Sequence, residues 1–329
     1  KLYHFHCDPY ADSDIVVGGT CGNAVTIWDL SSGLPIRTFD IHDEPVRCLY
    51  FDEFILISGS MDHTIKITDM DTELVLNTLT GHDGWVLTIK YDLLRLVSGS
   101  SDKTIKFWDF HTGKCLTTLR GHREAVRCVD VNQGTIVSGS ADNTLRVWDA
   151  EKGTSSVMQG HNEAISCCTF WNENPQTVWS ASFDGTIALW DLRTLKWVRP
   201  YFKSLEKSNN SILSLQVDSE KVICACWDGS IKIVDSRSNT GTIKNLKAHN
   251  QPVGCLQLLR DDRLVTASYD STIRIWEPSA TSVIPPVASK VLAGAVSLLP
   301  TSKSKTPTAS PRSRGKSSLL SNLFSFFNN

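Results

Sequence analysis

The stretch Gly81 to Asp109, GHDGWVLTIKYDLLRLVSGSSDKTIKFWD, sets the pattern that the rest of the chain follows. It opens on the turn-prone pair Gly81-His82. Val86 to Tyr91, VLTIKY, then alternates apolar and polar residues with the two-residue period of a half-buried strand. A second apolar run, Leu94 to Ser98, ends in the turn signal Gly99-Ser100-Ser101-Asp102, and a third, Thr104 to Trp108, ends in Trp-Asp. Lys114 to Leu119 supplies a fourth strand. One such small twisted sheet cannot bury its own faces. Stacked against copies of itself, it can.

The copies are present. Trp-Asp or a stand-in recurs at Trp28-Asp29, Thr68-Asp69, Trp108-Asp109, Trp148-Asp149, Trp190-Asp191, Val234-Asp235 and Trp276-Glu277, with spacings of 40, 40, 40, 42, 44 and 42 residues. Units of this length, opened by Gly-His and closed by Trp-Asp, resemble the WD-repeat β-propeller family. The resemblance implies an all-β fold: a seven-bladed β-propeller of four-stranded antiparallel blades over residues 1–277. Residues 278–329 are expected to form a disordered tail.

The 329 residues carry a formal charge of −2, so a basic nucleic-acid footprint is absent and no nucleic-acid partner is expected. The ten Cys include no CxxC pair. Cys48, Cys128, Cys167 and Cys255 share one place in the repeat, which reads as a small packing residue. His4, His6 and Cys7 lie close together but lack a second ligand pair at zinc spacing, so neither metal nor cofactor is expected. No signal peptide or apolar run of spanning length is seen, and the expected location is cytoplasmic, or also nuclear. Leu2 to Asp8 aligns with Val86 to Asp92, so blade one begins at its first strand. The strand that usually closes such a ring would then precede Lys1. The expectation is that blade seven keeps an open edge, because Pro285-Pro286 interrupts the continuation; the alternative is that Ser289 to Leu299, SKVLAGAVSLL, folds back onto it.

The family resemblance further implies a hydrogen-bonded tetrad in each complete blade, running from Trp to a Ser or Thr, then His, then Asp. The complete sets here are Trp108–Ser98–His82–Asp102, Trp148–Ser138–His122–Asp142, Trp190–Ser180–His161–Asp184 and Trp276–Thr266–His249–Asp270. On paper these resemble hydrolase triads. Their repetition argues for structure instead, since a catalytic site is normally singular, and the chain is read as not an enzyme. Three blades depart from the pattern. Blade two has Thr68 for Trp; blade one has Gly18 and Gly22 for Ser and Asp; blade six has Ser208, Cys224 and Val234 for His, Ser and Trp. Blade six also follows the longest connection, Arg199 to Asn210.

In the tail, Thr306-Pro307 and Ser310-Pro311 sit among basic residues, as proline-directed phosphorylation sites do. Leu319, Leu320, Leu323, Phe324 and Phe327 share one helical face that could meet a membrane or a partner groove. A helix so short is marginal in water, so a frayed end is expected there.

A rigid ring without catalytic residues is a docking surface, and its partners are expected to be proteins or peptides. Val46-Arg47-Cys48 and Val126-Arg127-Cys128 place an arginine at the channel-facing start of the first strand in blades two and four. Here the repeats resemble those of F-box/WD-repeat substrate receptors of cullin–RING ubiquitin ligases. That resemblance implies a phosphorylated peptide gripped by Arg47 and Arg127, and an adaptor bound through an F-box that these residues do not contain. The matching positions Leu87, Ser166, Leu213 and Gly254 are not arginine. Nor are the residues before each tetrad Asp: Cys21, Met61, Ser101, Ala141, Phe183, Trp227 and Tyr269. Glu44, Glu124 and Glu163 would weaken an anion site. The alternative is a general scaffold protein of signalling or trafficking. Under either reading Arg47, Trp85, Arg127, Phe183, Trp227 and Tyr269 are expected to line one surface. The bland alternative is that Arg47 and Arg127 merely pair with Glu44 and Glu124.

Overall fold

A computed structural model describes residues 2–6, 15–20, 23–91, 95–149, 153–203, 211–236, 244–259, 262–276 and 288–291. Cys7, Cys21, Gly22, Ser208 and the tail features at Thr306, Ser310 and 319–327 lie outside the described residues. The described chain forms seven four-stranded antiparallel sheets and no helix. In blade three the strands are Val86–Tyr91, Leu96–Ser100, Thr104–Trp108 and Cys115–Arg120, paired in sequence order. We letter them a to d from the channel outward, and the same letters apply to every blade. Strand b is wholly buried, strand a is only partly so, and strand d exposes most of its residues at the rim.

The a strands are Leu2–His6, Val46–Phe51, Val86–Tyr91, Val126–Asn132, Ile165–Trp171, Ile212–Val217 and Val253–Leu258. Each contacts the next, and the seventh contacts the first, so the ring is closed around a channel. The core lies between blades. Trp108 packs against Ile57, Ile65 and Leu79 of blade two, and Trp148 against Val97 and Ile105 of blade three. Trp28 does the same to Val265 and Ile273 of blade seven, across the closure. Each tryptophan therefore joins its own blade to the one before it. A buried indole contributes among the largest apolar areas of any side chain, which concentrates the joint energy in one residue per blade.

The Gly-His pair has a packing cause. A methyl group on Gly121 would stand 3.0 Å from Trp148 Cη2 and on Gly160 3.1 Å from Trp190 Cη2, while Gly81 is held at a φ of 146° that favours glycine. Glycine lets the indole pass beneath the strand that enters the next blade. The turns between c and d need a left-handed residue: Gly33, Gly113 and Gly153 supply it, with φ of 76°, 67° and 64°.

Two expectations are corrected. Blade seven is not left open: Ala288–Val291 pairs antiparallel with Ile273–Trp276, matching Arg274 with Val291 and Trp276 with Ala288. The edge of Ile273–Trp276 is filled from the segment that follows Pro285-Pro286, because a ladder satisfies backbone groups that the edge otherwise leaves unpaired. The connection before blade six is also shorter than it looks. Its first part belongs to strand d of blade five, Lys196–Lys203, where Pro200 faces Ala188 on an edge strand that tolerates a missing donor.

Candidate functional site

In blades three, four and seven a chain of hydrogen bonds runs from the indole to the aspartate, and blade five departs from it at the histidine. In blade three Trp108 Nε1 donates to Ser98 Oγ at 2.8 Å, Ser98 Oγ lies 2.7 Å from His82 Nε2, and His82 Nδ1 lies 2.7 Å from Asp102 Oδ2. Since Ser98 accepts from the indole, it gives its own proton to Nε2, which leaves Nδ1–H to donate to the carboxylate. The corresponding distances are 2.8, 2.7 and 2.9 Å in blade four and 2.9, 2.9 and 2.8 Å in blade seven. In blade five Trp190 and His161 both reach Ser180 at 2.7 Å, but His161 Nδ1 bonds Thr186 Oγ1 at 2.9 Å and stands 3.4 Å from Asp184. The hydroxyls of Ser98, Ser138, Ser180 and Thr266 belong to fully buried residues and already accept an indole proton. They cannot meet a substrate, so these are not catalytic triads.

Burial alone would raise the aspartate pKa values, but the bonds received outweigh it. Asp142 is held down to about 2 by Thr144, the Arg123 amide and His122. Asp62, Asp102 and Asp184 are held lower still. The histidines move the other way from a charged partner's usual effect: burial lowers His122 and His249 despite Asp142 and Asp270. Neutral imidazole is the resting form at both positions.

Sequence reasoning missed two supporting positions. A threonine two residues after the aspartate donates to it, as Thr104 does to Asp102 and Thr144 to Asp142, both at 2.6 Å. In blades two and four the second serine of the Ser-Gly-Ser clamps the loop between d and a: Ser60 donates to the Glu44 carbonyl at 2.8 Å and Ser140 to that of Glu124 at 3.0 Å. The recurring Ser-Gly-Ser and Asp-x-Thr spacings carried that signal. The repeat-locked cysteines do pack in the core. Cys48, Cys128 and Cys255 are buried, and burial pushes the thiol of Cys48 far up and that of Cys167 to about 12. All described cysteines are free.

The channel mouth is built by an irregularity repeated in every blade. Each a strand carries a bulge after its first residue, so that Val46 faces Ser60 while Cys48 already faces Gly59. The residue left over is Arg47 in blade two, Leu87 in three, Arg127 in four, Ser166 in five, Leu213 in six and Gly254 in seven. A bulge takes one residue out of the ladder and re-aims its side chain. Beside each bulge, the residue before the tetrad aspartate is pinned by its backbone: Met61 N–H donates to Pro45, Ser101 to Trp85, Phe183 to Ala164, Trp227 to Ser211 and Tyr269 to Pro252.

Among the six residues expected to share a surface, two ring contacts are seen, Arg127 with Phe183 and Trp227 with Tyr269. Arg127 lies over the Phe183 ring, 4.7 Å from its centroid. Burial first, then the charge of Arg47, lowers the pKa of Arg127, while Tyr269 acts in the opposite sense. Trp227 and Tyr269 are 6.5 Å apart between centroids. Trp85 is half exposed and has no ring partner among the described residues. The bland pairing fails for Arg127: Glu124 faces Lys103 at 3.3 Å instead.

The family model described as "WD domain, G-beta repeat" matches residues 33–69, 74–109, 113–149, 153–191 and 241–277. The repeats it passes over are those of blades one and six, whose tetrads are incomplete. A ribosome biogenesis protein, YTM1 of Yarrowia lipolytica (strain CLIB 122 / E 150), is 30% identical over 143 residues, 40% of this chain and 28% of that protein. The DENN domain and WD repeat-containing protein SCD1 of Arabidopsis thaliana is 34% identical over 134 residues, 39% of this chain and 11% of that protein. The chain thus spans less than a third of either relative. Among solved structures, the computationally designed Ika8 protein matches with a TM-score of 0.68 at 27% identity, covering 84% of both chains.

Proposed function

The chain belongs to the WD-repeat family, and from that premise we propose that it is a non-catalytic scaffold that docks a protein segment at its channel mouth. The observation that supports this reading is the bulged start of strand a, which takes Arg47 and Arg127 out of the ladder and leaves Arg127 over Phe183. Arginine beside aromatic residues is a composition enriched in contact surfaces. A ribosome biogenesis protein and a DENN-domain protein resemble this chain to similar degrees, which supports a general scaffold over any single pathway.

The narrower reading, a substrate receptor of a ubiquitin ligase, has the two arginines in its favour. The residues before the tetrad aspartates add no further cation to it. Site-directed photo-crosslinking separates these readings. A crosslinker at Ser101, beside the mouth, should capture partners that one at Thr117, on the outer edge, does not. Those products should vanish in an Arg47→Ala/Arg127→Ala protein of unchanged melting temperature. Products from Thr117 alone would overturn docking at the mouth. Phosphopeptides among the Ser101 products would move the assignment to the receptor reading.

A further inference from the structure

The outer rim repeats an irregularity of its own. In blades one, two, three and five, strand d slips by one residue against strand c, so that Ile27 faces Arg37 while Trp28 already faces Pro35. The residue left over is Ile36, Leu76, Leu116 and Val198 in turn. All four are apolar, yet they are 51%, 54%, 65% and 54% exposed. In blades one to three they belong to one continuous arc. Arg37 Nη1 of blade one donates to the Met70 carbonyl of blade two at 3.0 Å, and Met70 N–H donates to the Phe54 carbonyl at 2.9 Å. Asn77 Nδ2 of blade two donates in turn to the His111 carbonyl of blade three at 3.5 Å. Leu34, Phe54 and Leu74, each more than half exposed, widen the arc. A contiguous apolar band with a polar border marks a contact surface.

The border is acidic. Glu53, Asp71 and Glu73 are exposed on the turns beside the band, and Asp29, Asp52, Asp69 and Asp109 hold those turns through their carboxylates. Against them, among the described residues of these turns and strands, stand Arg37, already 3.7 Å from Glu73, with Arg95, Lys114 and the imidazole of His111. At blade five the same bulge lies beside Arg193 and Lys196 instead. We propose that the rim of blades one to three is a docking surface independent of the channel mouth, and that its occupant is a basic amphipathic helix of another protein. Leucine-like side chains on one face of that helix seat between Ile36, Leu76 and Leu116, and Lys or Arg beside them meet Glu53 and Asp71. An added strand does not fit, because the bulges at Ile36, Leu76 and Leu116 break the ladder that it needs. A membrane does not fit either, because its anionic headgroups would meet the same carboxylates.

Selection of a displayed library of helical peptides on the full chain tests this. Enriched sequences should carry apolar residues three and four apart, with Lys or Arg beside them. In fluorescence anisotropy with those peptides, Leu74→Ser/Leu76→Ser should weaken binding at least tenfold. Glu53→Lys/Asp71→Lys should weaken it several-fold and flatten its dependence on salt. Val198→Ser, on the rim of blade five, should leave it unchanged, and each variant should keep the parent's melting temperature. If Leu74→Ser/Leu76→Ser does not fold, Leu116→Ser and the charge variant decide. Enriched peptides that are acidic or lack helical spacing, equal affinity for the leucine variant, or no enrichment at all would overturn the proposal. So would either competing occupant: a dimer of the full chain in sedimentation that Leu74→Ser/Leu76→Ser dissolves, or phosphatidylserine vesicles that bind the parent and not that variant.

Discussion

Blades three and six bury the same joint with different side chains. In blade three Trp108 crosses Gly81, donates to Ser98 and packs on blade two. Blade six has Val234 and Cys224 at those places, and none of its own indoles lies in that joint. The missing volume comes from the other side of the joint: Trp179 of blade five, fully buried, packs with Ala181, Cys224 and Val234. Its counterparts in other blades are Val97, Val137 and Ile57, all smaller. Blade two solves the same loss another way. Thr68 replaces the tryptophan and its buried hydroxyl has no hydrogen-bond partner among the described residues. Ile41 stands where Gly81 stands in blade three, and Phe39 where Leu79 does, in one cluster with Phe51 and Met70. The joint requires filled space; the hydrogen-bonded chain is one means of locking it.

The sharpest way to break this comparison is to empty each joint. Trp108→Ala and Trp179→Ala should each cost about 3–5 kcal/mol in denaturant unfolding. The phenylalanine variants should differ. Trp179→Phe keeps most of the volume and should cost about 1–2 kcal/mol, whereas Trp108→Phe also strips Ser98 of its donor and should cost about 1–3 kcal/mol more. Equal costs for the two phenylalanine variants would remove the distinction between volume and hydrogen bonding.

Blade two allows a constructive test. Thr68→Trp alone should destabilise by about 1–3 kcal/mol, because the indole meets Ile41. Ile41→Gly alone should destabilise by about 2–5 kcal/mol through the cavity. Together they recreate the Gly81–Trp108 arrangement, and the cycle should show a favourable coupling of about 1–3 kcal/mol. Additivity within error would mean that Ile41 is not the compensation for the lost tryptophan.

Blade seven offers a smaller effect. A chain ending at Glu277 loses the Ala288–Val291 strand and should be less stable by about 1–2 kcal/mol, from a few ladder bonds. It should also self-associate in sedimentation, since Ile273–Trp276 becomes an open edge. A monomer of unchanged stability would show that the ring does not need that strand.

The smallest effect is titration of the complete tetrads. His122 and His249 have folded pKa values below their ordinary 6.5, so their stabilisation is full above that value and is lost as pH falls beneath it. Asp142, ordinarily at 3.8, is held to about 2, so its contribution is in place above 3.8 and is lost toward 2. The melting temperature should therefore drop by a few degrees below about pH 6.5 and more steeply below about pH 4. His122→Gln should blunt the first stage. A flat profile down to pH 4 would contradict the neutral-imidazole assignment.

What the sequence determined by itself is everything written in short periods. The two-residue alternation, the turn residues and the recurring Gly-His, Ser-Gly-Ser and Trp-Asp specify seven sheets and the members of four tetrads, because strand, turn and cap chemistry act within one repeat. Tertiary structure decided what depends on neighbours. Trp179 looks like any apolar b-strand residue until blade six is set against it. Pro285-Pro286 reads as a stop until the ring presents the edge of Ile273–Trp276. Arg127 and Phe183 are far apart in sequence, and meet only because adjacent blades set their a strands side by side. Closure of the ring is a non-local condition, and no period in the chain encodes it.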